Sequence, residues 1–150
     1  KKNVEMLLKI NDPYEILYKK SENGKRLFEN AEKINKKYKA LLKKALDESK
    51  KSKGRVIAFR YVSDQVSFTS DLANEMMHRN PGKVIAVGRI RDEQMRISLR
   101  SSIGDVELPE ILDKIFMEMD GSGGGHEHAV AVEIHRENYE KFIKLLRRYT

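Results

Sequence analysis

Two short segments of this chain carry residue types that can hold an anion. Gly121-Ser122-Gly123-Gly124-Gly125-His126 places four glycines within five residues, directly ahead of an imidazole. Glycine loses more backbone freedom on folding than any other residue, so such a run is tolerated where positive φ or close ligand approach requires it. Successive N–H groups in a glycine-rich loop can form an anion-binding concavity. His126, at the exit of the loop, can donate to a phosphate or phosphodiester oxygen. A flexible link between a helix and a strand is the competing reading, and composition alone leaves both open. The order here is helix, glycines, strand, which matches neither a Walker loop nor a dinucleotide-binding turn.

The second segment is Arg96-Ile97-Ser98-Leu99-Arg100-Ser101. On a strand, Arg96, Ser98 and Arg100 share one face while Ile97 and Leu99 share the other. Two guanidiniums then flank a hydroxyl on the polar face, and arginine suits phosphate through paired N–H donors. The spacing also fits an ordinary surface strand. Other reactive side chains are sparse. His126 and His128 on one strand face would permit metal chelation, but a third ligand is not evident. Asp64 and Asp71 flank a polar stretch, and Asp71 reads as a helix-start residue. His78 and His135 are expected on surfaces. The absence of cysteine excludes disulfides and thiolate metal sites.

The elements that must position these residues follow from periodicity. Residues 1–53 read as helix, broken at Asn11-Asp12-Pro13 and at Ser21 to Gly24. Leu27, Ala31, Ile34, Tyr38, Leu41 and Ala45 then form a heptad seam that must lie against something. From Gly54 the period changes. Val56–Phe59 reads as a strand and Thr69-Ser70-Asp71 opens a short helix stopped by Asn80-Pro81-Gly82. Val84–Val87 and Met95–Arg100 form a hairpin, and Leu108-Pro109 starts another helix. Ala129–Ile134 is a strand, and Asn138–Tyr149 a terminal helix. The expectation is an α/β fold of α+β character: a mixed sheet of about four or more strands with flanking helices, preceded by a long helical arm.

Charge follows the same division. Residues 1–53 hold 16 Lys or Arg against 8 acids, and residues 54–150 hold 14 against 15, so the net +7 belongs to the arm. That basic stripe either attracts nucleic acid or forms a solvated helix face. No apolar run is long enough to span a bilayer and no signal-peptide pattern is present, so a cytoplasmic protein without a membrane partner is expected.

Ser98-Leu99-Arg100-Ser101, then a helix, then Gly123-Gly124-Gly125-His126-Glu127-His128-Ala129 resembles the DHH-associated C-terminal domain of DHH phosphoesterases, over roughly residues 54–148. That family includes RecJ-type single-strand exonucleases, oligoribonucleases and cyclic-dinucleotide phosphodiesterases, and related domains end alanyl-tRNA synthetases. The resemblance implies that Arg100 and His126 contact phosphate or the terminal nucleotide, that Ser98 and Ser101 add polar contacts, and that Gly123, Gly124 and Gly125 admit the substrate closely. The family usually continues His-x-x-Ala-Ala-Gly, whereas here Ala129 is followed by Val130-Ala131-Val132.

The resemblance also implies a manganese (or magnesium) centre in a separate catalytic domain, for which residues 1–53 would be the linker. No Asp-His-His motif occurs here. The chain is therefore expected to bind nucleotides or single-stranded DNA or RNA rather than cleave them, together with its own catalytic domain. Two alternatives are an RNA-binding module of the alanyl-tRNA synthetase kind, and an oligomerisation domain pairing through the heptad helix as a homodimer.

Overall fold

The computed structural model describes residues 2–63 and 66–150; Asp64 lies outside them. Residue contacts divide the chain into two units, 1–41 and 42–150. In the first, α1 (Lys2–Leu7) and α2 (Pro13–Leu17) precede the start of α3 (Glu22–Ser49). Asp12 caps α2 by accepting from the Tyr14 amide at 2.8 Å, with Pro13 in the first turn. Along the heptad stripe of α3, Leu27 and Ala45 are buried, Tyr38 and Leu41 half-buried, and Ala31 and Ile34 exposed.

The second unit is built on five strands: β1 (Val56–Val62), β2 (Val84–Arg91), β3 (Gln94–Ser101), β4 (Ser122–His126) and β5 (Ala129–His135). Their order is β1-β2-β3-β5-β4, with β1 parallel to β2 and the other pairs antiparallel. The mixed sheet is the expected one, with a strand more than the alternation patterns marked out. The glycine run is that additional strand. It is not a loop: Ser122–His126 pairs with Ala129–Glu133 at the sheet edge. Glycines carry no side chains, so no alternation announced it.

Helices cover the two faces unequally. On one face α5 (Leu108–Phe116) and α6 (Tyr139–Tyr149) close a core. It takes in Val84 and Ala86 of β2, Met95, Ile97 and Leu99 of β3, and Val130, Val132 and Ile134 of β5. Leu112 and Phe142 are among the helix side chains packed there, each contributing about 1.5–3 kcal/mol through burial. Val130, where the chain departs from the family pattern, points into this core.

On the opposite face a single helix, α4 (Thr69–Arg79), crosses between β1 and β2 and packs on β2 and β3. Leu72, Ala73 and Met76 are buried there, as are Ile57, Phe59, Ile85 and Val87 on the sheet side. An eleven-residue helix cannot roof five strands. The β5–β4 part of this face, with the adjoining side of β3, is left open.

Candidate phosphate-binding site

Register decides what the open half presents. Three rows of residues run across β3, β5 and β4: Arg100–Ala129–His126, Ser98–Ala131–Gly124, and Arg96–Glu133–Ser122. All nine share the α4 face, because side chains alternate and the intervening residues point into the core. The middle row has almost no side chains. It forms a low floor, and an added Cβ at Gly124 would meet no atom within 4 Å. Ala131 keeps that floor low at the second position where the sequence departs from the family pattern.

The polar groups stand around the floor. Arg100 and His126 flank it at one end, two strands apart, roughly 10 Å at ~4.8 Å per strand. A shallow cleft of about 340 Å³ covers the rest, bordered by Thr69, Ser70, Ser98, Ser122 and Arg96. Thr69 and Ser70 begin α4, so the positive end of that helix dipole is turned to the cleft.

Arg100 is held, not loose. Its Nε donates to Asn74 Oδ1 at 2.7 Å and its Nη1 to the Leu99 carbonyl at 2.8 Å. Nη2 makes no hydrogen bond among the described residues. Partial burial lowers the guanidinium pKa from its ordinary value, yet arginine stays charged at any physiological pH. Ser98 is buried, 3.3 Å from the Ser70 hydroxyl. Arg96 Nε donates to Glu133 Oε2 at 2.8 Å. His126 is exposed at the end of β4. Asn74 and Ser70 carry no signal in the sequence: they are unremarkable helix residues until the helix is laid across β3.

Of the residues expected at the site, Ser98, Arg100, Gly124 and His126 come together on the open face. Gly123 and Gly125 lie on the same edge strand but turn toward the core side. Gly125 has φ of +153°, and a side chain there would press on the Ala129 carbonyl. Ser101 is not brought to this face. It is buried on the opposite side, where its hydroxyl accepts from the Ile103 amide at 3.1 Å. His128 does not share a strand with His126, because Glu127-His128 forms the β4–β5 turn. His135 lies 3.4 Å from Glu93, and His78 is exposed.

No group of three His, Asp or Glu side chains among the described residues is placed to hold a metal ion. A manganese or magnesium centre does not fit the described residues. No described helix is long and apolar enough to cross a membrane.

The DHHA1 domain matches residues 66–150, more than half of the chain. The chain belongs to the DHHA1 family. DHHA1 is the DHH-associated domain of DHH-family phosphoesterases, and solved structures agree with it in fold. An exonuclease RecJ bound to manganese superposes with a TM-score of 0.66 at 12% identity, over 85% of this chain and 32% of that one. The C-Ala domain of Aquifex aeolicus alanyl-tRNA synthetase gives 0.53 at 17%, over 64% of this chain and 92% of that one. A pGpG-specific phosphodiesterase, PggH from Vibrio cholerae, gives 0.54 at 15%, over 86% and 43%. The chain thus spans less than half the length of the RecJ and PggH chains it resembles. No curated protein matches the sequence.

Proposed function

We propose that this DHHA1 domain is the nucleotide- or single-strand-binding module of a DHH-type phosphodiesterase or exonuclease of the cytoplasm. It holds phosphates for a manganese or magnesium centre carried by a catalytic domain of the full-length protein. The observation that carries the reading is the row of Ser98, Ala131 and Gly124 flanked by Arg100 and His126. A floor of small side chains lets a sugar-phosphate chain lie against the sheet, and the flanking donors then meet its oxygens. The structures of RecJ and of the pGpG-specific phosphodiesterase support a nucleic-acid or dinucleotide ligand.

Each residue has a distinct task. Arg100, fixed by Asn74, neutralises a phosphate with its free Nη2 edge. His126 bonds the terminal phosphate or base from the opposite flank. Ser98 and Ser70 supply hydroxyls in the cleft.

Calorimetric binding of mononucleotide, dinucleotide and short single strands to this chain and to Arg100→Ala and His126→Ala tests the reading. Each variant should bind the dinucleotide at least roughly tenfold more weakly, because a charge-assisted contact of about 1.5–3 kcal/mol is lost. Equal binding by all three proteins would overturn the site. Binding only to folded tRNA would instead favour the alanyl-tRNA synthetase kind of module.

A further inference from the structure

Among the described residues, Arg89 is the one strongly buried cation that the site above does not use. It lies on β2 directly across from Arg96, on the same sheet face, at the end of the cleft away from Arg100. The residue is 9% exposed, and its Nε has no hydrogen-bond partner among the described residues. Like charges placed opposite each other destabilise a strand pair, and a buried charge is ordinarily paired. Here the nearby acids are already engaged: Glu133 with Arg96 at 2.8 Å, and Asp92 with Arg91 at 3.8 Å. Tyr61, the neighbour of Arg89 on β1, uses its hydroxyl to accept from the Phe68 amide at 2.7 Å. The charge of Arg89 is left over.

It is left over beside open space. A cavity of about 210 Å³ is lined by Arg89, Arg91, Asp92, Gln94, Arg96 and Glu133. That is several times the ~30 Å³ a water molecule occupies in the liquid. Two arginines converging on such a space, one of them unpartnered, match the forked geometry that holds a tetrahedral oxyanion.

We propose that Arg89 and Arg96 form a second phosphate subsite, for another phosphate of the oligonucleotide chain whose end is held at Arg100. The inference rests on the nucleic-acid reading above and extends it. Arg96 and Arg100 are four residues apart on β3, roughly 13 Å at ~3.3 Å per residue. One phosphate cannot bridge that distance, so the subsite engages short single strands and not mononucleotides. It thereby favours a ligand that continues past its terminal unit along the cleft.

The test titrates the 150-residue chain with a 5′-phosphorylated dinucleotide and with an octanucleotide, at several salt concentrations. Arg89→Met should bind the dinucleotide as the parent does and the octanucleotide roughly tenfold more weakly. Its slope of log K against log salt should be shallower by about 0.7, the value for one phosphate contact on a single strand. Arg89→Lys, which keeps the charge without the fork, should fall between, and it carries the test if Arg89→Met fails to fold. Unchanged octanucleotide binding by a folded Arg89→Met overturns the subsite, as does equal loss of both ligands. A parent chain that binds the dinucleotide but gains nothing with the octanucleotide overturns the subsite and leaves the first reading standing. A parent that binds neither overturns both.

Discussion

Replacing Gly124 with leucine separates folding from binding at this site. The residue lies in the middle of β4, and an added Cβ meets no atom within 4 Å. The side chain therefore enters the open face without displacing protein. Losing a glycine from a strand interior reduces the entropy of the unfolded chain, worth about 0.5–1 kcal/mol of stability. For a domain of this size that raises Tm by roughly 1–4 °C. The ligand meets the opposite effect, because the isobutyl group stands on the floor beside Ala131. Dinucleotide affinity should fall at least roughly tenfold, about 1.4 kcal/mol, with Gly124→Ala between leucine and the parent. Differential scanning fluorimetry and calorimetry on the same samples check both halves. An undiminished affinity would mean that the ligand does not lie over this floor, and a lowered Tm would refute the open space above Gly124.

Gly125→Ala should act in the reverse sense, destabilising before it affects any ligand. Its φ of +153° and the adjacent Ala129 carbonyl oppose a side chain, at a cost of about 1–3 kcal/mol, or roughly 2–12 °C in a melting curve followed by circular dichroism; an unchanged melt would refute it. Tyr139 predicts alkaline behaviour, since burial pushes its phenol up to about 12 from roughly 10 in an unfolded chain. Between those values the unfolded chain has released a proton that the folded chain keeps. Stability is thus intact below about pH 10 and falls by about 1.4 kcal/mol per pH unit up to about pH 12. Tyr139→Phe should flatten that part of a series of urea unfolding midpoints, and an equally steep decline in the variant would refute the assignment.

Much of this architecture is written locally. Apolar alternation from Met95 to Leu99 identifies β3 and puts Arg96, Ser98 and Arg100 on one face, because a strand's period of two needs no distant partner. The hairpin turn at Asp92, with φ of +54°, and the helix stop at Asn80-Pro81-Gly82 are local chemistry of the same kind. The glycine run is different. Its residues have no side chains to alternate, so the sequence marks it as unusual without stating its conformation, and only pairing with β5 makes it an edge strand.

Register across β3, β5 and β4 is likewise non-local. It aligns Ser98, Ala131 and Gly124, and brings His126 to the face of Arg100 although 26 positions separate them in the chain. The same alternation carries Ser101, one position beyond Arg100, to the opposite side and into a turn. Which half of the sheet stays open depends on where α4 lands, and that also recruits Asn74 and Ser70, residues no spacing rule selects. Arg89 is the plainest case. In the sequence it is one arginine among eleven, and its missing partner exists only once β2 and β3 set it opposite Arg96. Residue types and local period determined what this protein could hold; non-local strand pairing and the reach of one helix decided where.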